Sequence, residues 1–391
     1  MDDERKIALH PLTFLPDGEG VSIGRFGTDT FALFPEDGAE LVRQLQAGLT
    51  VGEAARWYKQ TYQEDLDMDD FLEILRDLTF LNEEGDAPAD GGAVRGHRAG
   101  KWAFSPLAWV LYALVIGTAG AFLWSVPELR PARHHVFYSE YSTFVIFGLF
   151  LGILPGVLFH ETMHMLAGWR LGLPSKLSVG RRMFFLVFES SMPGLAGLPR
   201  KERYLPILSG MFGDVLYFSL MVVVAGVTLT QTGELNGFAR FCLAVAFTTV
   251  LRFIWQFYFH LQTDIYYAIV TALGCVNLQE TARQYLRNFW YRLIGASHKC
   301  IDPSKWAERD AQVTRWYGPL YAVGYVLFLC MFLFVIVPIL YQLLANVVWN
   351  LLNGSTVYIW DSLVVIAVVG VQYGTVGWLF IRERRAIAKG G

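Results

Sequence analysis

The chain has 391 residues, 54% of them hydrophobic and 17% charged, with a mean hydropathy of +0.36 and several apolar runs long enough to cross a bilayer. That composition excludes an ordinary soluble enzyme and predicts a polytopic α-helical membrane protein of about six spans. The net charge of −3 hides an asymmetry: residues 1–90 hold 21 acidic and 7 basic side chains (net −14), and the remaining 301 hold 14 and 25 (net +11).

An acidic soluble domain joined to a basic membrane body follows, and no nucleic-acid partner is expected. The cysteines Cys242, Cys275, Cys300 and Cys330 contain no C-x-x-C pair, so they point to neither a disulfide framework nor a thiolate metal site. Met1 to Lys6 is charged and no apolar signal region follows, so the N-terminus is expected in the cytoplasm.

Leu12–Leu15, Gly20–Ile23 and Thr30–Phe34 are short extended stretches separated by turns at Pro16-Asp17-Gly18 and Gly24–Gly27. After Pro35 the period becomes helical. Ala39–Gln46 ends at Gly48, and Thr50 caps a helix over Val51–Tyr62 with Glu53 completing a capping box. Asp67 opens a third helix with Phe71, Ile74, Leu75 and Leu78 on one face. Three strands followed by three helices make a small α+β, winged-helix-like domain over residues 1–85.

The pattern Leu45-x-x-Gly48-x-Thr50-Val51-x-Glu53-Ala54-Ala55, followed by Asp70-Phe71-Leu72-x-x-Leu75-x-x-Leu78-x-Phe80-Leu81, resembles the PqqD-like recognition domains of peptide-modifying enzymes. The resemblance implies that the domain binds the leader segment of a ribosomally made precursor peptide, adding it as a strand to the small sheet. A regulatory or assembly domain is the alternative. From Asn82 to Gly100 the chain is rich in Gly, Ala and Asp, and residues 86–101 read as a flexible linker.

The membrane body covers residues 102–391. Its first span is expected over Trp102–Val126, followed by a loop holding His134 and His135. Adjacent histidines point in different directions on a regular backbone, so a surface role is expected for this pair. The second span, Tyr141–Gly168, contains Pro155-Gly156, where the helix should kink or loosen, and then His160-Glu161-Thr162-Met163-His164.

Two imidazoles four residues apart on a helix share one face, and Glu161 lies about 100° away from them. This is the H-E-x-x-H arrangement, in which the histidines ligate zinc and the glutamate acts as general base. Ionisable residues inside a span cost roughly 2.5 kcal/mol or more each, so three in five residues demand a compensating reason.

From Trp169 to Tyr204 the chain carries seven basic residues (Arg170, Lys176, Arg181, Arg182, Arg200, Lys201 and Arg203), which place this loop in the cytoplasm. Leu177–Val179 and Met183–Phe188 read as a hairpin turning at Gly180-Arg181-Arg182. It either clamps an unwound substrate strand or seals the site. Further spans are expected at Leu205–Thr230, Phe238–Phe259, Leu320–Ala345 and Val357–Ile381, with a polar cytoplasmic stretch from Asn277 to Trp316 and both termini cytoplasmic.

Asp214 and Arg252 fall at similar depth in neighbouring spans and predict an ion pair. Zinc held by two histidines needs a third protein ligand, and Asp264, acidic at the end of a span, is the choice. His260, four residues earlier, is the rival.

His160–His164, Gly210-x-x-x-Asp214 and Thr263-Asp264-x-Tyr266-Tyr267 together resemble site-2-protease-type intramembrane zinc metalloproteases. The likeness is strongest to the peptide zinc metalloproteases of bacterial peptide-maturation systems. The resemblance implies Zn2+ on His160, His164 and Asp264, Glu161 as the catalytic residue, and Gly210 and Asp214 in substrate binding. It further implies zinc-dependent endopeptidase action on a precursor peptide in the cell membrane. The usual Gly-Pro-x-x-Asn appears here as Gly210-Met211-Phe212-Gly213-Asp214, and the usual Asp-Gly as Asp264-Ile265. A protease of a membrane-anchored regulator, and a non-enzymatic scaffold or exporter component tethering precursor peptides, are the alternatives.

Overall fold

A computed structural model describes residues 4–17, 20–25, 31–82, 96–182, 185–275 and 277–390. The N-terminal part opens with β1 (Leu12–Asp17), β2 (Gly20–Arg25) and β3 (Phe31–Phe34), an antiparallel meander in that order with Phe14 opposite Ile23 and Ile23 opposite Ala32. Pro16 and Asp17 belong to β1 and Gly24 to β2. Gly18, Phe26, Gly27 and Thr30 lie outside the described residues.

Three helices follow: α1 (Glu36–Gln46), α2 (Val51–Tyr62) and α3 (Met68–Asp77). Thr50 Oγ1 accepts from the Glu53 N–H and the Glu53 carboxylate accepts from the Thr50 N–H, so the capping box satisfies two otherwise orphaned donors. Asp67 caps α3 through the amides of Asp69 and Asp70. Ile23, Leu41, Leu45, Ala54, Leu75 and Phe80 close one core between sheet and helices. Ile74 departs from the expected face and is 43% exposed, because α3 turns only Met68, Phe71 and Leu75 fully into that core.

The predicted linker overlaps a helix, α4 (His97–Ala103). Gly100 is the reason that this helix can lie directly on the chain ahead of it: a Cβ there would stand 2.5 Å from the Leu166 carbonyl oxygen and 2.6 Å from the Arg170 nitrogen. His97 Nδ1 meets the Trp169 carbonyl at 2.7 Å, and Arg170 donates to the Phe104 carbonyl.

Long apolar helices make up the body: α5 (Pro106–Ser125), α6 (Ser142–Arg170), α7 (Arg200–Thr232) and α8 (Gly237–Trp255). After them come α9 (Asp264–Leu273), α10 (Leu278–Leu293), α11 (Glu308–Met331), a π-helical segment (Phe332–Ile336), α12 (Val337–Asn353) and α13 (Thr356–Gly390). The protein is a helical membrane protein. Among the described residues five helices are long and apolar enough to span, with α11, the π segment and α12 counting as one. The sixth expected span is helical, but its described apolar part, Thr356–Gln372, is shorter than the others.

Pro155 sits inside α6. Two local expectations are corrected, at the histidine pair and at the hairpin turn. His135 is buried and accepts from the Ala132 N–H at 3.0 Å, whereas His134 is exposed. In the 3₁₀ turn over Arg133–Phe137 the two rings stay in contact, with centroids 4.0 Å apart, but only His134 reaches the surface. Gly180, Arg181 and Arg182 are strand and not turn: β4 (Lys176–Arg182) pairs with β5 (Phe185–Ser191) from Lys176 opposite Ser191 to Arg182 opposite Phe185. Seven paired positions outweigh the turn preference of Gly180, and the connection falls at Met183 and Phe184, outside the described residues. Within the polar stretch from Asn277, α10 packs on α11.

Candidate metal centre

α6 presents His160 and His164 on one face, as a spacing of four dictates. Both are buried, at 6% and 5% exposure. Their Nε2 atoms lie 3.1 Å apart. α7 crosses beneath them at Gly210, where a Cβ would stand 2.1 Å from His164 Nε2 and 2.6 Å from His160 Nε2. Only a hydrogen fits there, so Gly210 lets the two imidazoles lean onto the helix. Gly213, one turn further on, gives Met163 its room in the same way.

Asp264 arrives from α9, at whose first turn the helix dipole favours a carboxylate. The approach is set by Gln256: its side chain accepts from the Asp264 N–H at 3.0 Å, and its carbonyl accepts from the Thr263 hydroxyl at 2.8 Å. Asp264 Oδ2 comes to 3.3 Å from His160 Nε2 and 3.4 Å from His164 Nε2.

Three donor atoms 3.1, 3.3 and 3.4 Å apart form a nearly equilateral triangle. Zinc–ligand bonds of about 2.0–2.1 Å in a tetrahedron require edges of roughly 3.3 Å, so the donor set fits that ion with its fourth corner open. Asp264 Oδ2 is also buried without a hydrogen bond from any described residue, and a cation held between the three donors would satisfy it. Among the described residues this is the one His/Cys/Asp/Glu group with metal-binding spacing.

His260 is not brought to the centre. Its ring stacks on Tyr325 at 4.0 Å and lies over Tyr258 at 5.8 Å. The reason is local: α9 begins only at Asp264, so residues 260 and 264 never share a helix face.

Behind the histidines, His164 Nδ1 meets the Pro206 carbonyl at 2.6 Å. His160 Nδ1 lies 3.1 Å from Asp214 Oδ2, and Asp214 is 1% exposed. Arg252 donates to Asp214 Oδ1 from Nε at 2.9 Å and from its terminal nitrogen at 2.6 Å, the expected ion pair. Contacts of this kind choose which ring nitrogen faces a metal. Gly210 and Asp214 therefore sit underneath the histidine pair.

Glu161 is half-buried and its Oε2 accepts from the Ser190 N–H of β5 at 2.8 Å. Sequence reasoning missed Gln256, Pro206 and Ser190. Gln256 left a weak signal as a lone amide ending an apolar run. The other two act through backbone atoms, which every residue type carries.

Comparison with family models, curated proteins and solved structures gives no match. The site therefore stands on its own geometry.

Proposed function

We propose that this chain is a zinc-dependent intramembrane endopeptidase of site-2-protease type that cleaves a ribosomally made precursor peptide near the cytoplasmic face of the membrane. The observation that carries the proposal is the triangle of His160 Nε2, His164 Nε2 and Asp264 Oδ2, set inside an apolar helical body with Glu161 on the same helix as the two histidines. A scaffold has no use for three buried donors aimed at one point.

His160, His164 and Asp264 would hold the ion, with Asp214 and the Pro206 carbonyl fixing the imidazoles. Zinc, when bound, supplies Lewis acidity that brings a water toward neutral pKa and polarises a peptide carbonyl. Glu161 takes the proton from the attacking water and hands it to the leaving nitrogen. The surrounding apolar helices limit competing water, which strengthens each of these charges. A helical substrate keeps its carbonyls engaged, so the cleaved segment must be extended, and the edge of β5 beside Glu161 suits an extended chain.

The N-terminal domain is assigned the leader. Its β3 has one strand neighbour among the described residues, leaving a main-chain edge for a leader strand. β1 and β2 lie against the Leu195–Gly197 turn that follows β5, so a leader held there keeps the cleavage segment at high effective concentration near the metal. The seven basic residues from Arg170 to Arg203 favour a cytoplasmic position for this loop, and with it for both termini.

The test is bound metal per purified chain for the unaltered protein and for His164→Ala, Asp264→Ala and His260→Ala. About one zinc, lost with the first two substitutions and kept with the third, is the expected result. No metal in a folded chain supplied with zinc overturns the proposal in favour of a tethering scaffold. Deleting residues 1–90 should then slow cleavage of a full precursor; an unchanged rate removes the leader-binding role.

A further inference from the structure

Glu161 stands on the same helix as the two histidines, yet its carboxylate is engaged elsewhere, on the Ser190 amide. In the hairpin Ser190 faces Leu177. An amide that leaves its partner strand in this way marks a non-hydrogen-bonded pair, so the Ser190 N–H points out of the free edge of β5. The neighbouring pair supports this phase, since the Glu189 carbonyl is turned toward β4, where the Ser178 hydroxyl reaches it at 3.0 Å. The donor that an added strand would need is thus held by the residue assigned to proton transfer.

We propose that the Ser190 amide is a positioning group. It holds Glu161 in a resting state, and an extended peptide entering along β5 takes that amide with one of its own carbonyls and frees Glu161 for the reacting water. The proposal rests on the endopeptidase reading above. In the exchange one N–H···O bond breaks and one forms, and no proton moves. The carboxylate is the stronger acceptor, so a single neutral carbonyl cannot displace it. Only a chain that also makes the neighbouring ladder bonds can, and a helical segment, whose carbonyls are already engaged, cannot. The latch therefore selects extended peptide over intact transmembrane helix and keeps the base idle until such a chain is in place.

The experiment is amide hydrogen exchange resolved at Ser190, in the full-length protein in detergent, for the unaltered chain, Glu161→Gln and Glu161→Ala, each with and without a blocked apolar hexapeptide. Bound zinc is measured on the same samples. Glu161→Ala should speed exchange at Ser190 by roughly 10- to 100-fold, the range a bond to a charged group is worth. Glu161→Gln, which keeps an acceptor oxygen, should retain most of the protection. The hexapeptide should restore protection to Glu161→Ala. An unchanged Ser190 rate in Glu161→Ala, loss of protection along all of β5, or failure of the peptide to restore it each overturns the proposal. Absence of zinc in these samples would instead strike the endopeptidase reading, while the exchange rates still report on the latch.

Discussion

Asp214 stands directly behind His160, with its Oδ2 at 3.1 Å from the ring Nδ1, and is itself anchored by the Arg252 fork. This is a carboxylate backing a proposed metal ligand, buried where neither charge could persist alone. Asp214→Asn keeps the shape and removes the charge. Zinc affinity should fall by about 10- to 100-fold, the range seen when such backing groups are lost. Competition with a chelator measures it, and an unchanged affinity rules out the backing role.

Arg252→Leu leaves the Asp214 carboxylate buried with only His160 beside it. Breaking a buried pair from one side costs about 3 kcal/mol. Titration with a denaturing detergent should show that loss, and the double change Arg252→Leu with Asp214→Leu should recover most of it.

Gly210→Ala separates site from scaffold. Alanine favours a helix over glycine by about 1 kcal/mol, so α7 itself should not suffer. Its methyl group, however, would lie 2.1 Å from His164 Nε2, and the imidazoles must move. Metal content should drop close to zero while the melting temperature of the metal-free protein holds. Retained zinc would show that the rings do not lean on α7 as described.

His135 makes stability pH-dependent. Burial holds its pKa down to about 4 from an ordinary value of 6.5, with the neighbouring His134 adding to the effect. The unfolded chain therefore binds the proton more readily than the folded one. Stability is fully present above about pH 6.5 and is lost as pH falls from there toward 4. The melting temperature should decline across that window, and His135→Gln should flatten the decline.

Thr50→Ala removes the cap of α2 and one half of its reciprocal bond with Glu53. The N-terminal domain should lose about 1 kcal/mol, seen as earlier exchange or proteolysis of residues 36–81 with the membrane helices unaffected.

Much of the architecture was legible one residue at a time. The capping box at Thr50 and Glu53, the Asp67 cap and the long apolar helices follow from local hydrogen bonding and hydropathy, which neighbouring residues in the sequence control. The hairpin turn was misplaced because strand register depends on pairing across the whole ladder, and Gly180 mattered less than the seven pairs around it. α9 went unseen as a separate element, and with it the reason that His260 turns away.

The sequence alone determined which residue types could meet: two histidines one helical turn apart, a glutamate beside them, an acid at the end of a later apolar run, and an opposite charge pair in neighbouring helices. Spacing on a helix is short-range geometry, and it survives any packing. Tertiary structure decided the rest, because it depends on contacts between segments far apart in the chain. α7 had to cross at Gly210 for the imidazoles to converge, Gln256 had to hold the Asp264 backbone, and β5 had to lie along α6 for a backbone amide to reach Glu161. Local spacing shows none of these contacts, since each joins separate elements of the fold through an absent side chain or a main-chain atom.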